Sequence, residues 1–331
     1  GELLWDGTPV FLNGVNGAWL HYGNDFGGSL NGKGKAHACA LQAILAKTSR
    51  HGGQAVRFWL HAEGDHTPSY DESGFVLPDS GSLLADLRLF LRAAEEGCPI
   101  AWLVRPKHPF SSLSRLRSYI DKLLVPLVSA LRNEPALGGW DVINEPEGSV
   151  AAGVPHADAC FDTTRLANSG AGWAQPQDPI PMYQVLRFVG LHAAAIHRTA
   201  PGALVTVGAW SERTITQSFG FREYYTAACL SRAAGENAHL DLLQVHSYAS
   251  RTHGFSSTSP FKRSEEEYNL NAPLVIGEFC PGVKAEGMRA EELYKWAYDK
   301  GYSGGWAWTA TSKPGLFDAM ATLRNRSKFR A

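Results

Sequence analysis

"GGWDVINEPEG" (residues 138–148) begins as a buried strand and ends as something else. Its first seven residues are apolar or small apart from Asp141 and Asn144. Asn144, Glu145 and Pro146 then supply an amide, an acid and a helix breaker, and Glu147 adds a second carboxylate. A strand that only had to pack would finish on a turn residue. This one finishes on groups that are costly to bury without partners, so its end is expected to face something polar.

Seven comparable apolar runs lie on either side of it. They are "FLNGVNGAWL" (11–20), "GQAVRFWL" (53–60), "CPIAWLV" (98–104), "ALVTVGAW" (203–210), "LDLLQVHSY" (240–248), "PLVIGEF" (273–279) and "SGGWAWT" (303–309). Amphipathic stretches separate them. In "SLLADLRLFLRAAEEG" (82–97), leucines 83, 84, 87 and 91 share one stripe, as on a helix with a buried face. "LRSYIDKLLVPLVSALRNEP" (116–135) predicts a second helix, interrupted at Pro126. "MYQVLRFVGLHAAAIHRTAPG" (182–202) predicts a third, stopped at Pro201-Gly202. Near-continuous apolar strands alternating with helices imply a parallel sheet covered on its outer face. Eight such units, after a short N-terminal hairpin, predict a (β/α)8 barrel occupying residues 1–331 as one domain. The GxGxxG of a dinucleotide-binding sheet is absent from the first run.

Active sites of such barrels gather at the C-terminal ends of the strands. Strand two ends on Arg57-Phe58-Trp59-Leu60-His61 and strand four on Asn144-Glu145. Strand six ends on His246-Ser247-Tyr248, strand seven on Glu278, and strand eight on Trp306-Ala307-Trp308. Each alone has a structural explanation: an ion pair, a satisfied core histidine, a packed aromatic. Together they put two glutamates, an arginine, an amide, a histidine, a tyrosine and tryptophans at one mouth. Two facing carboxylates suit glycosidic bond cleavage, one donating a proton and the other attacking or activating water. The donor needs a raised pKa, which burial and a nearby negative charge supply. The attacking group must stay ionised, and Arg57 is the cation placed to hold it so. Asn144 is placed to bond a sugar 2-hydroxyl.

Composition agrees with this reading. The net charge is −1 and the pI is about 6.9, which argues against nucleic acid and anionic membrane partners. No apolar run reaches the ~18 residues of a membrane span. Ten Trp, eleven Tyr and fifteen Phe are an unusual aromatic content; core filling accounts for most of the Phe, but several Trp sit at strand ends, where a sugar's apolar face could stack. "HAEGDH" (61–66) offers possible metal ligands, but an extended loop fixes no coordination geometry, so no metal and no cofactor is expected. Glu147 is expected to support its loop. The start at Gly1 has no leader pattern and reads as a processed N-terminus; the sequon at Asn325 is compatible with secretion.

"WDVINEP", "VIGEF", "VRFWLH" and "VHSY" resemble the clan-A retaining glycoside hydrolases of family 5. Along most of the chain, "GAWLHYGNDFG", "WLHAEGDHTPSYD", "CFDTT" with "GAGWA", and "GALVTVGAW" resemble the endo-β-1,4-mannanases of molluscs and related animals. The resemblance implies Glu145 as acid/base and Glu278 as nucleophile. Arg57, Asn144, His246, Tyr248 and Trp308 would line the subsite of cleavage. Trp19, Trp173 and Trp210 are sugar-stacking candidates that packing would also explain. It further implies a cis peptide at Trp308-Thr309. "AWLVRPKHPFSSLS" (101–114) departs from the pattern. The implied enzyme is a secreted, monomeric endo-β-1,4-mannanase acting on mannan or glucomannan with retention. An endo-β-1,4-glucanase on the same scaffold, or a barrel that only binds polysaccharide, are the alternatives. Cys160 is expected to pair with Cys229, Cys280 to stay reduced, and Cys39–Cys98 is a second candidate bridge.

Overall fold

In a computed structural model, the described residues are 2–5, 7–27, 34–62, 66–97, 100–104, 112–170, 179–250, 253–280, 288–313 and 315–324. Strands β1 (Leu4–Trp5) and β2 (Thr8–Pro9) pair antiparallel as the expected hairpin. The eight apolar runs then supply β3 (Leu12–Asn16), β4 (Ala55–Trp59), β5 (Ile100–Val104), β6 (Leu137–Asn144), β7 (Val205–Ala209), β8 (Leu243–Ser247), β9 (Leu274–Phe279) and β10 (Gly304–Ala307). They pair in parallel in chain order, and β10 closes on β3, Trp306 lying opposite Gly14. The fold is a (β/α)8 barrel. Along β4, Val56 and Phe58 join the large cluster under the helices, while Ala55 and Trp59 belong to two smaller ones inside the barrel. Trp306, fully buried, plugs the lower interior and donates from its indole to the Leu12 carbonyl at 3.2 Å.

The covering helices are α1 (Gly34–Arg50), α2 (Ser82–Gly97), α3 (Leu113–Tyr119), α4 (Val125–Leu131), α5 (Met182–Thr199), α6 (Ala227–Ala234), α7 (Ala290–Asp299) and α8 (Leu316–Ala321). The expected interruption at Pro126 is real but is not a break. A π-helical segment, Ile120–Leu124, joins α3 to α4 without leaving helical backbone; Val125 N–H reaches back five residues to the Ile120 carbonyl just before Pro126, so the proline sits next to a shifted bonding pattern in a continuous helix. One expected helix is replaced. Between β8 and β9 the described residues carry only a 3-10 turn, Glu265–Tyr268, closed by a Ser264–Glu267 capping box and ended by left-handed Asn269. The Ser-, Thr- and Pro-rich segment before it has no apolar stripe to bury. Cys160 and Cys229 are bonded, tying the loop after β6 to α6. Cys39 and Cys280 are free thiols, so the second candidate bridge is not formed; Cys98 lies outside the described residues. Among those residues no helix is long and apolar enough to cross a membrane.

Candidate active site

Strand register brings the polar ends to one level. Asn16 lies opposite Arg57, Asn144 opposite Gly208, and His246 opposite Glu278. β6 runs extended to Asn144, and Glu145 then takes a left-handed conformation with φ 45° before Pro146 opens a 3-10 turn. For a residue with a side chain this conformation costs about 1–3 kcal/mol, a strain found mainly at functional sites. The Glu145 amide donates to the Gly208 carbonyl on β7, which anchors the kink. The chain therefore turns sharply at the acid, and its carboxyl is carried over the barrel mouth. The strand ends in amide, acid and proline for that reason.

Arg57 is the hub. Its guanidinium is wholly buried and donates to Asp141 at 2.8 Å, Asn16 at 3.1 Å, Glu278 at 2.6 Å and Asn144 at 2.8 Å. Burial works against its charge, but Asp141 and Glu278 outweigh it and the net pKa is raised. Glu278 thus has the cation the sequence placed beside it. Its other oxygen accepts from the Tyr248 hydroxyl at 2.7 Å. Burial pushes the Glu278 carboxyl up; His246, Arg57 and Tyr248 pull it down, Glu145 adds to the rise, and the net direction is up. Tyr248 is held far above the usual phenol range, foremost by burial and then by Glu278, so it stays a hydroxyl donor.

His246 sits between the glutamates. Its Nδ1 is 2.7 Å from Glu145 and 3.5 Å from Glu278, and burial foremost lowers its pKa to about 4. One ligand-capable atom from each of Glu145, His246 and Glu278 lies within 4.8 Å of the others. These atoms are already committed to hydrogen bonds with one another or with Arg57 and Tyr248. At the opposite end, His197, His239 and Asp241 also converge, but the two imidazoles stack at 4.1 Å and 13°, so their in-plane lone pairs do not meet on one ion. The "HAEGDH" loop offers less: His61 is occupied by Thr67 and Tyr119, and residues 63–65 lie outside the described set.

Aromatic rings wall the mouth. Trp19, Trp59 and Trp308 meet edge to face with centroids 5.2–5.5 Å apart, and Tyr22 joins Trp19. The Trp308-Thr309 peptide is cis, as the resemblance implied. Trp210 stacks loosely on Tyr248, 6.1 Å apart and 18° from parallel. Its amide donates to Glu147, which also receives Thr214 and Tyr225 hydroxyls, so Glu147 supports the loop as expected. Trp173 lies outside the described residues, as do 105–111 of the departing stretch and the sequon at Asn325.

Three participants were not singled out in the sequence: Asn16, Asp141 and Gln244. Asp141 left a signal, since a carboxylate inside an apolar strand needs a buried cation. Asn16, at the end of "LNGVN", left the same kind of signal. Gln244 left none; its environment exists only once β8 sits beside β6.

No protein-family model matches the chain. It is 40% identical over 323 residues to the mannan endo-1,4-beta-mannosidase of Mytilus edulis, covering 94% of this chain and 86% of that one. It is 38% identical over 325 residues to the enzyme of the same name from Cryptopygus antarcticus, covering 94% and 83%. The crystal structure of endo-1,4-beta-mannanase from Eisenia fetida superposes with a TM-score of 0.92 at 37% identity, covering 100% of this chain and 96% of that one.

Proposed function

The chain belongs to the mannan endo-1,4-β-mannosidases of glycoside hydrolase family 5, and on that footing we propose that it cuts internal β-1,4 bonds of mannan and glucomannan with retention of configuration. The observation that carries the retaining reading is the closeness of the two acids, with oxygens of Glu145 and Glu278 within 4.8 Å. Retaining enzymes hold their carboxyls about 5–5.5 Å apart, whereas inverting ones leave about 6.5–9.5 Å for a water between acid and sugar.

Glu278 attacks the anomeric carbon while Glu145 gives its proton to the departing oxygen. A glycosyl ester on Glu278 results. Water then enters, Glu145 takes its proton, and the hydroxide oxygen displaces Glu278. Arg57 and Tyr248 hold the attacking carboxylate in line from two sides. Arg57 also occupies the Asn144 carbonyl oxygen, which leaves the amide's Nδ2 as the end for a sugar hydroxyl. Trp308 and Trp19 wall one side of the sugar path; Trp210 lines another and Trp173 is a further stacking candidate. The bonded Cys160–Cys229 pair supports secretion, since such bonds persist in oxidising compartments. We place the whole chain in one monomeric catalytic domain.

The choice of mannan over glucan rests on the relatives, both of which are mannan endo-1,4-beta-mannosidases. Reducing-sugar release from mannan, glucomannan, carboxymethylcellulose and xylan in parallel is the test. Mannan and glucomannan should be cut at least tenfold faster than carboxymethylcellulose, with oligosaccharides as early products; equal rates would move the assignment to a glucanase.

A further inference from the structure

Beneath the two glutamates lies a second buried polar tier. Asp141 Oδ2 accepts from Arg57 and, at 2.9 Å, from the amide nitrogen of Gln244. A carboxylate only accepts, which fixes the amide: flipping it would set oxygen against oxygen. The Gln244 carbonyl oxygen then faces His246 Nε2 at 3.3 Å. An amide oxygen also only accepts, so Nε2 carries a hydrogen. His246 is buried among Arg57 of β4, Asp141 of β6, Glu145 just after β6, and Glu278 of β9, and its depressed pKa keeps it neutral. A neutral imidazole with hydrogen on Nε2 has a bare Nδ1. That nitrogen is 2.7 Å from Glu145 Oε1, so the proton in this contact belongs to Glu145.

We propose that Gln244 is a positioning residue that, through the tautomer of His246, keeps Glu145 in its proton-donating form. The inference rests on the reading of Glu145 as the acid. It also bears on the second half of the reaction. Once Glu145 has released its proton to the leaving oxygen, its carboxylate faces the Nδ1 lone pair. That repulsion favours recovery of a proton from the incoming water, so one arrangement serves both steps and the proton count closes. Two glycines keep the space it needs. A Cβ at Gly277 would stand 1.9 Å from the Gln244 carbonyl oxygen. One at Gly208 would stand 3.0 Å from His246 Nε2 and 2.7 Å from Arg57. Neither backbone could yield without moving the relay.

Two measurements test this. Nitrogen-15 NMR of histidine-labelled wild-type enzyme at neutral pH, with His246 assigned by its loss in His246→Asn, should show the Nε2–H tautomer. The Nδ1–H tautomer would overturn the proposal without recourse to any variant. Gln244→Met keeps the volume but frees the tautomer, so Nδ1–H can donate to an ionised Glu145. The alkaline limb of kcat/KM on mannan should then move to lower pH by about one unit. An unmoved limb in a folded Gln244→Met enzyme would also overturn it. Failure of the underlying reading looks different, because Glu145→Ala would then keep its rate on mannan while the wild-type tautomer remained Nε2–H.

Discussion

Replacing both Cys160 and Cys229 with Ser should cost stability without costing activity. The bond closes a sequence separation of 69 residues. Loop-closure entropy for that length corresponds to about 4 kcal/mol at 25 °C, within the 2–5 kcal/mol usual for losing a native disulfide. At this chain length the unfolding temperature should drop by about 6–8 °C, roughly 2 °C for each kcal/mol. The folded loop has other ties that survive. Arg232 pairs with Asp158, Tyr224 donates to the Asp162 carbonyl, and Arg222 donates to the Ala159 carbonyl. Glu147, Trp210 and the Glu145–Glu278 pair are held by separate bonds. Denaturant unfolding should therefore show a lower midpoint, while kcat/KM on mannan at 25 °C stays within twofold of the parent. A loss below about 1 kcal/mol would refute the view that the bond acts on the unfolded chain. A tenfold loss of activity in the folded variant would refute the separation of this loop from the site.

Arg57→Lys should lower kcat at least a hundredfold and stability by about 3 kcal/mol, because one ammonium cannot serve four acceptors in a planar fork and leaves buried partners unpaired; activity within threefold of the parent would contradict the hub assignment. His246 is neutral when folded, with a pKa of about 4 against 6.5 for the free side chain. The unfolded chain therefore binds the extra proton first, and stability present above pH 6.5 should fall by about 3 kcal/mol as pH drops towards 4. Urea titrations across that range should show the fall in the parent and a smaller one in His246→Asn. Glu278→Ala should abolish turnover of every substrate. Glu145→Ala should lose mannan cleavage yet still release a dinitrophenolate, a leaving group that needs no proton, in the first turnover.

The barrel was legible because strands buried on both faces read as apolar runs, and β3, β4, β7, β8, β9 and β10 are buried along their whole length. Boundaries shifted by only a few residues, as at β8, where "LDLLQVHSY" narrowed to Leu243–Ser247. The missing helix before β9 follows from a segment without a stripe, which the count of strands concealed. At the mouth, Glu145, Glu278, Arg57, His246 and Tyr248 were visible because each is a polar group where a strand should end. The tier below was only half visible. Asp141 stood out as a carboxylate inside an apolar strand, whereas Gln244 matters only through its cross-strand neighbours, which no local pattern encodes. Gly208 and Gly277 likewise read as ordinary small strand residues until the side chains they admit are in place.

In the proposed mechanism Glu278 attacks the sugar while Glu145 handles the proton, across a gap too narrow for an intervening water. Proton NMR of a mannooligosaccharide during the first minutes of hydrolysis, before mutarotation, tests it most directly. With retention, the new reducing end should appear as the β-anomer and only later equilibrate. Initial appearance of the α-anomer would mean that water attacks directly, with Glu278 as its base.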